Sequence, residues 1–210
     1  MEKIIYLIRH SKTGVNIANY TDYKTVPWEE YNTNMILSVK GEEDAKKLCN
    51  VKELRNIDEL YASSSPRAIA TAKYLSEEIS LPIKLDKRID ERHFGIKYIS
   101  ELPANFNYQM FNNKDLRLKD GETLNELDRR MSDFINEKLD GASNRIAIVL
   151  HGIILLSYLG CFADDTYDGE KFKIIFNGKE ILTGTPTAPD IYKITYDNKK
   201  VVNLERLIIQ

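Results

Sequence analysis

Cysteine is nearly absent: Cys49 and Cys161 are the only two in 210 residues. They lie far apart and outside any CxxC spacing, which argues against a disulfide framework or a zinc ribbon and makes a cytoplasmic location the simplest expectation. Long apolar runs are missing too. The N-terminal stretch IIYLI ends in charge after five residues, too short for a leader or a membrane span, so no membrane association is expected. Neither charge sign dominates: 30 Lys and Arg face 32 Asp and Glu, a net charge of -2. No broad positive field exists to hold nucleic acid or anionic lipid, and any anion site has to be local. Histidine is scarce, with three copies and no HxxxH or HExxH spacing, so no metal site is expected.

What is present is the composition of a globular protein, 42% hydrophobic and 30% charged, with a single domain over residues 1–210 as the expectation. Residues 3–9 read as a first strand, and Ala45, Leu48 and Cys49 in SVKGEEDAKKLCN fall at helical spacing. ELYASSS is a short strand running into PRAIATAKYLSEEIS, whose Ala68, Ala72, Leu75 and Ile79 form one helical face. Ser65 suits the N-cap there and Pro66 the first helical position. PIKLDKRI is a third strand candidate, and the stretch from there to KDG is mixed loop and short helix. TLNELDRRMSDFINEKL carries an apolar stripe and a capping box in Thr123 and Glu126. RIAIVL is continuous enough for a strand buried on both faces, and IILLSYLG follows as a helix. In the tail, Asn177-Gly178 marks a hairpin and IYKITY with VVNLERL a second one, giving shorter antiparallel strands. Alternating strands and helices predict a three-layer αβα sandwich around a mostly parallel sheet.

Ligands of such sheets bind beyond the carboxyl ends of the strands, where loops diverge and helix N-termini present free N–H groups. Arg9 and His10 leave the first strand, Arg67 sits in the first helical turn after the second, and His151 with Gly152 leaves the RIAIVL strand. Taken singly, a histidine after a buried strand is usually a hydrogen-bonded structural residue. Two of the three histidines at equivalent strand ends, flanked by arginines, instead suit a phosphoryl group: Arg forks bind its oxygens and neutral imidazole can attack phosphorus. Adjacent arginines would repel a dication.

These segments resemble, in order, the histidine phosphatase superfamily, also called the phosphoglycerate mutase-like family. LIRHSKTGVN resembles its opening Arg-His-Gly-x-Thr-x-x-Asn motif, with Arg9, His10, Thr13 and Asn16 in register. LSVKGEEDAKKL, YASSSPRAIATA with Arg67, DERHFG, DGETLNE and VLHG resemble the motifs that follow. The resemblance implies that His10 takes the phosphoryl group, that Arg9, Arg67 and His151 hold its oxygens, and that Glu91 protonates the leaving oxygen. It also selects Glu91 over Asp90, which the residues alone read as a solvated acidic pair. Ser11, Thr13, Asn16 and Gly152 are the implied phosphate- or substrate-binding residues. Ser11 stands where the family usually has Gly, and with an ordinary φ its hydroxyl would be an added donor near phosphate.

The resemblance further implies a small phosphorylated substrate, with phosphate, sulfate or vanadate able to enter the pocket, and neither cofactor nor metal. Phe94 lacks the hydroxyl of the tyrosine in the mutase form ERHYG, and the stretch between Gly95 and Gly121 is shorter than the mutases' insert, so a phosphomonoesterase is expected. A phosphoglycerate mutase-type phosphotransferase and a non-catalytic phospho-ligand-binding homologue are the alternatives. Aromatic residues in two long stretches, Tyr20, Tyr23, Trp28 and Tyr31 in one and Tyr98, Phe106, Tyr108 and Phe111 in the other, are candidates for the pocket wall or for local packing.

Overall fold

The structure, a computed structural model, describes residues 2–14, 27–33 and 35–209. In chain order its elements begin with β1 (Glu2–Arg9), β2 (Thr13–Gly14), α1 (Trp28–Thr33), β3 (Ile36–Leu37), α2 (Val39–Lys46), β4 (Glu59–Ala62), α3 (Pro66–Ile79) and β5 (Ile83–Leu85). There follow α4 (Phe106–Asn112), α5 (Leu124–Asp140), β6 (Arg145–Leu150), α6 (Gly152–Leu159), β7 (Asp164–Tyr167), β8 (Phe172–Phe176), β9 (Lys179–Gly184), β10 (Asp190–Asp197) and β11 (Lys200–Leu207). No helix among the described residues is long and apolar enough to cross a membrane.

The central sheet has the order β11-β10-β1-β6-β4-β5. β1, β6, β4 and β5 pair in parallel, while β10 runs antiparallel to β1 and β11 antiparallel to β10. Side chains alternate across this sheet, so each strand feeds two cores. Ile5 and Leu7 of β1 and Ile146, Ile148 and Leu150 of β6 pack with Leu127, Met131, Phe134 and Ile135 of α5. Tyr6, Ile8, Ala147 and Val149 pack on the other face with Ala68, Ala72 and Leu75 of α3. This is the three-layer α/β arrangement that the alternation of elements predicts.

Local chemistry sets the helix starts. Thr123 Oγ1 accepts from the Glu126 N–H at 3.1 Å and Glu126 Oε2 accepts from the Thr123 N–H at 2.9 Å, the reciprocal capping box that opens α5. Ser65 is the N-cap of α3 and Pro66 its first residue. α2 is shorter than the spacing of Leu48 and Cys49 suggests: it ends at Lys46, and a tighter 3₁₀ turn carries Lys47–Asn50. Only Ile83–Leu85 of PIKLDKRI is strand, since Asp86 accepts from the Arg88 N–H and turns the chain into a 3₁₀ segment.

The tail departs from the expectation of short strands. β10 and β11 have eight residues each, as many as β1. They are joined through Asn198 and Lys199, with φ of 48° and 64°. Asn177 and Gly178, at φ 50° and 76°, close the β8–β9 hairpin as their types require. That hairpin belongs to a separate three-stranded sheet, β7-β8-β9. Its Phe172, Ile174 and Phe176 join the core on the α5 and α6 side.

The stretch between Gly95 and Gly121 is drawn into a loop by contact of those two residues. Gly95 has φ +70°, and a Cβ built on it would lie 2.0 Å from the Gly121 nitrogen; one on Gly121 would lie 2.4 Å from the Phe94 oxygen. Only hydrogen fits there. Gly121→Ala is therefore expected to lose about 1–3 kcal/mol of stability, the usual cost of forced overpacking, measured as a lower urea midpoint. An unchanged midpoint would mean that the two backbones are not in contact.

Candidate active site

β1 and β6 are adjacent and parallel, so their last residues leave the sheet side by side, and the His10 N–H donates to the Leu150 carbonyl at 2.8 Å. This places the His10 and His151 rings edge to face with centroids 5.1 Å apart. His10 Nδ1 lies 2.8 Å from the Ser11 carbonyl oxygen. A carbonyl only accepts, so the proton is on Nδ1 and the Nε2 lone pair is left for chemistry. Burial, then the Arg67 and Arg9 charges, push His10 down to about 3 against the Ser11 hydrogen bond, so the ring is neutral at pH 7.

His151 is fully buried. Its Nε2 lies 2.7 Å from Ser63 Oγ, and Ser63 Oγ donates to Asp90 Oδ1 at 2.7 Å. The single hydroxyl proton is spent on the carboxylate, so the imidazole Nε2–H donates to Ser63. His151 Nδ1 is then a buried nitrogen without a partner among the described residues. Burial and the Arg67 charge hold its pKa well below the ordinary 6.5. An oxyanion beside Nδ1 would reverse that and turn it into a donor.

The arginines are anchored by carbonyls rather than neutralised by carboxylates. Arg9 Nη1 donates to Pro186 at 3.0 Å and to Thr187 at 3.2 Å, while its buried Nε has no partner among the described residues. Arg67 Nη1 donates to the Asn32 carbonyl at 3.0 Å. Gly152, the first residue of α6, lets Arg9 lie against the helix: a Cβ there would sit 3.3 Å from Arg9 Nε.

Glu91 lies at the start of the same helix. Its carboxylate accepts from the Ile153 and Ile154 N–H groups, each at 3.2 Å, and from the Arg92 N–H at 3.0 Å. Those donors and the Arg67 charge favour the ionised form, but burial outweighs them and the carboxyl is raised above its ordinary value. Asp90 points elsewhere, accepting from Ser63 Oγ, Ser64 N–H and Ser64 Oγ at 2.7 Å each. It remains half-buried at the edge of a neighbouring hollow, and it orients the serine that holds His151.

His10, Arg9, Glu91 and Gly152 border one cavity of about 260 Å³; His151 and Arg67 are buried and do not line it, though the His151 ring meets that of His10 and the Arg67 charge acts on both histidines. The expectation for Ser11 needs correction. Its φ is not positive, and its hydroxyl donates to the Gly41 carbonyl at 2.7 Å while its N–H donates to Thr71 Oγ1 at 3.0 Å. Both donors are turned into the α2–α3 packing, so neither meets phosphate. Thr13 is half-buried on β2, its backbone paired with Leu37; among the described residues no hydrogen bond ties its side chain to the site. Asn16, Tyr20 and Tyr23 lie outside the described residues. Of the remaining aromatic candidates, Phe111 lines the cavity at His10, Phe106 is buried in the core, and Trp28 borders a separate hollow on the far side of Glu91. Ser63, the Pro186 and Thr187 carbonyls, and Tyr167 and Phe172 of the small sheet complete the site. Of these only Ser63 stands in a recognisable segment, SSSPR.

The fold defines an α/β protein that gathers two histidines at the ends of two parallel strands. A model of the histidine phosphatase superfamily, branch 1, matches residues 5–177, and the chain belongs to that superfamily, among its enzymes of phosphatase or mutase type. The protein described as "Probable phosphoglycerate mutase GpmB" from Cronobacter sakazakii is 26% identical over 159 residues, 72% of this chain and 70% of its own. The structure of a mycobacterial glucosyl-3-phosphoglycerate phosphatase superposes with a TM-score of 0.69 at 14% identity, covering 99% of this chain and 98% of that one. YhfR of Bacillus stearothermophilus gives a TM-score of 0.69 at 21% identity, over 94% of this chain and 93% of its own.

Proposed function

We propose that the protein is a metal-independent phosphomonoesterase that works through a phosphohistidine on His10. The observation that carries this is the neutral His10 ring, pinned through Nδ1–H to the Ser11 carbonyl with Nε2 unprotonated. In the first step the Nε2 lone pair attacks phosphorus, the ester P–O bond breaks, and the leaving oxygen takes the Glu91 proton. In the second, water gives a proton to Glu91 and displaces His10 from phosphorus. Arg9, Arg67 and a protonated His151 Nδ1 neutralise the three phosphoryl oxygens through both steps.

The protein supplies all of this charge. Arg9 and Arg67 are held by carbonyls, and the described residues gather no group of three or more His, Cys, Asp or Glu that could hold a metal ion. A neighbouring fold, the mycobacterial glucosyl-3-phosphoglycerate phosphatase, has been crystallised with vanadate and with inorganic phosphate. Both anions, and sulfate, fit the chemistry of the present site.

Similarity to a probable phosphoglycerate mutase favours a second reading, in which the phosphoryl group returns to an isomeric acceptor. The short stretch between Gly95 and Gly121 gives a phosphohistidine less cover against water, which favours hydrolysis. Release of inorganic phosphate from an alkyl phosphate after dialysis against EDTA separates the readings. Full turnover, inhibited by vanadate, is expected. Loss of activity that zinc or magnesium restores would overturn the metal-independent route, and isomerisation of phosphoglycerate without phosphate release would establish the mutase.

A further inference from the structure

The cavity that holds His10 and Glu91 continues past them between α4 and the three-stranded sheet, and this is the space beside His10 with room for the alcohol half of an ester. Phe111 of α4 and Tyr167 and Phe172 of the small sheet form its wall. Their rings make one packed cluster: Tyr167 stacks on Phe172 at 4.2 Å with 14° between planes, and Phe111 meets Phe172 edge on at 4.9 Å. Ile153 and Leu156 of α6 line the same space.

Its charge is as informative as its apolarity. Among the described residues Arg9 is the only lysine or arginine that borders this cavity, and Glu170, in the β7–β8 turn, adds a carboxylate to that of Glu91. Arg9 serves the phosphoryl group. A leaving group with its own carboxylate would therefore enter an aromatic space with Glu170 facing it and, among the described residues, no cation beyond Arg9 to meet it, losing water without recompense. In the neighbouring hollow bordered by Glu91, Arg130 is paired with Glu122 and Arg117 with Glu126, each at 2.6 Å, and Arg92 donates to the Glu122 and Leu116 carbonyls; Lys87 borders that hollow and not the cavity at His10.

Resting on the phosphatase reading above, we infer that the substrates are phosphate monoesters of uncharged alcohols carrying an aromatic or similarly bulky apolar group, and that acid-bearing esters such as phosphoglycerates are selected against. Phe111, Tyr167 and Phe172 supply contact area and ring faces for that group, and Glu170 supplies the repulsion that excludes acids.

The test compares kcat/KM for 2-phenylethyl phosphate, glycerol 3-phosphate and 3-phosphoglycerate by phosphate release. All three lose a primary alkoxide, so the demand on the general acid is the same and differences report the pocket. 2-Phenylethyl phosphate is expected to exceed glycerol 3-phosphate by about tenfold or more, the scale of burying one ring, and 3-phosphoglycerate to be the poorest. In Phe111→Ala the phenylethyl-to-glycerol ratio should fall toward one. In Glu170→Lys, a change in an exposed turn that spares the core, the ratio of 3-phosphoglycerate to glycerol 3-phosphate should rise about tenfold. Phosphate release with 3-phosphoglycerate preferred, or ratios unmoved by both variants, would overturn the inference and leave the phosphatase reading standing. No phosphate from any of the three would overturn both.

Discussion

His10→Ala is expected to lower turnover of any phosphate monoester by at least about a thousand-fold, the scale for removing a covalent nucleophile that has no substitute nearby. Such a loss corresponds to about 4 kcal/mol of transition-state free energy. The site offers no replacement. The neighbouring His151 is tied through Nε2 to Ser63 and fully buried, and every carboxylate oxygen of Glu91 is already held by a backbone N–H. Because His10 is only partly buried, the variant should keep its circular dichroism spectrum and thermal midpoint while losing steady-state activity. A loss below about tenfold in a folded variant would remove His10 from the covalent step.

The second large effect belongs to Glu91, and it depends on the leaving group. A poor leaving group departs only with a proton, whereas an activated one leaves as an anion. Glu91→Gln should slow hydrolysis of an alkyl phosphate by roughly a hundred-fold or more and an activated aryl phosphate much less. The pH profile carries the same signature. Burial raises the Glu91 carboxyl against the pull of three N–H donors and Arg67, and a bound phosphate dianion raises it further. Since the acid must be protonated, the alkyl phosphate rate should fall as pH rises through that raised value, and this alkaline limb should vanish in Glu91→Gln. Equal losses on both substrate types with an unchanged limb would exclude Glu91 as the acid. Asp90 could not then replace it in place, since its two oxygens accept from Ser63 and Ser64.

What could be read in advance was the part of the site carried by strand ends. A continuous apolar run that stops at Arg9-His10, and another that stops at His151-Gly152, read as buried strands, and parallel pairing then brings their ends together. The capping box at Thr123 and Glu126 and the Asn177-Gly178 turn were likewise local and therefore legible. Long-range contacts were not. Whether Ser11 faces phosphate or the helices depends on Gly41, which reaches it only through tertiary packing. Asp90 and Glu91 are adjacent in extended backbone, so they point to opposite sides. One meets the serines after β4 and the other the start of α6, a distinction spacing alone does not contain. The aromatic wall was hidden for a similar reason: nothing in the pattern of the tail singles out Tyr167 and Phe172 until the small sheet is seen folded against α4.

In the proposed route the phosphoryl group becomes bonded to the imidazole of His10. Brief mixing of the enzyme with a phosphorus-labelled ester, acid-free quenching and peptide mapping tests it directly, because phosphohistidine survives neutral and alkaline handling and is lost in acid. Label on the peptide containing His10, absent in His10→Ala and discharged by water as inorganic phosphate, is the expected result. Label on the peptide containing His151, or turnover at full rate with no labelled protein at any mixing time, would contradict it.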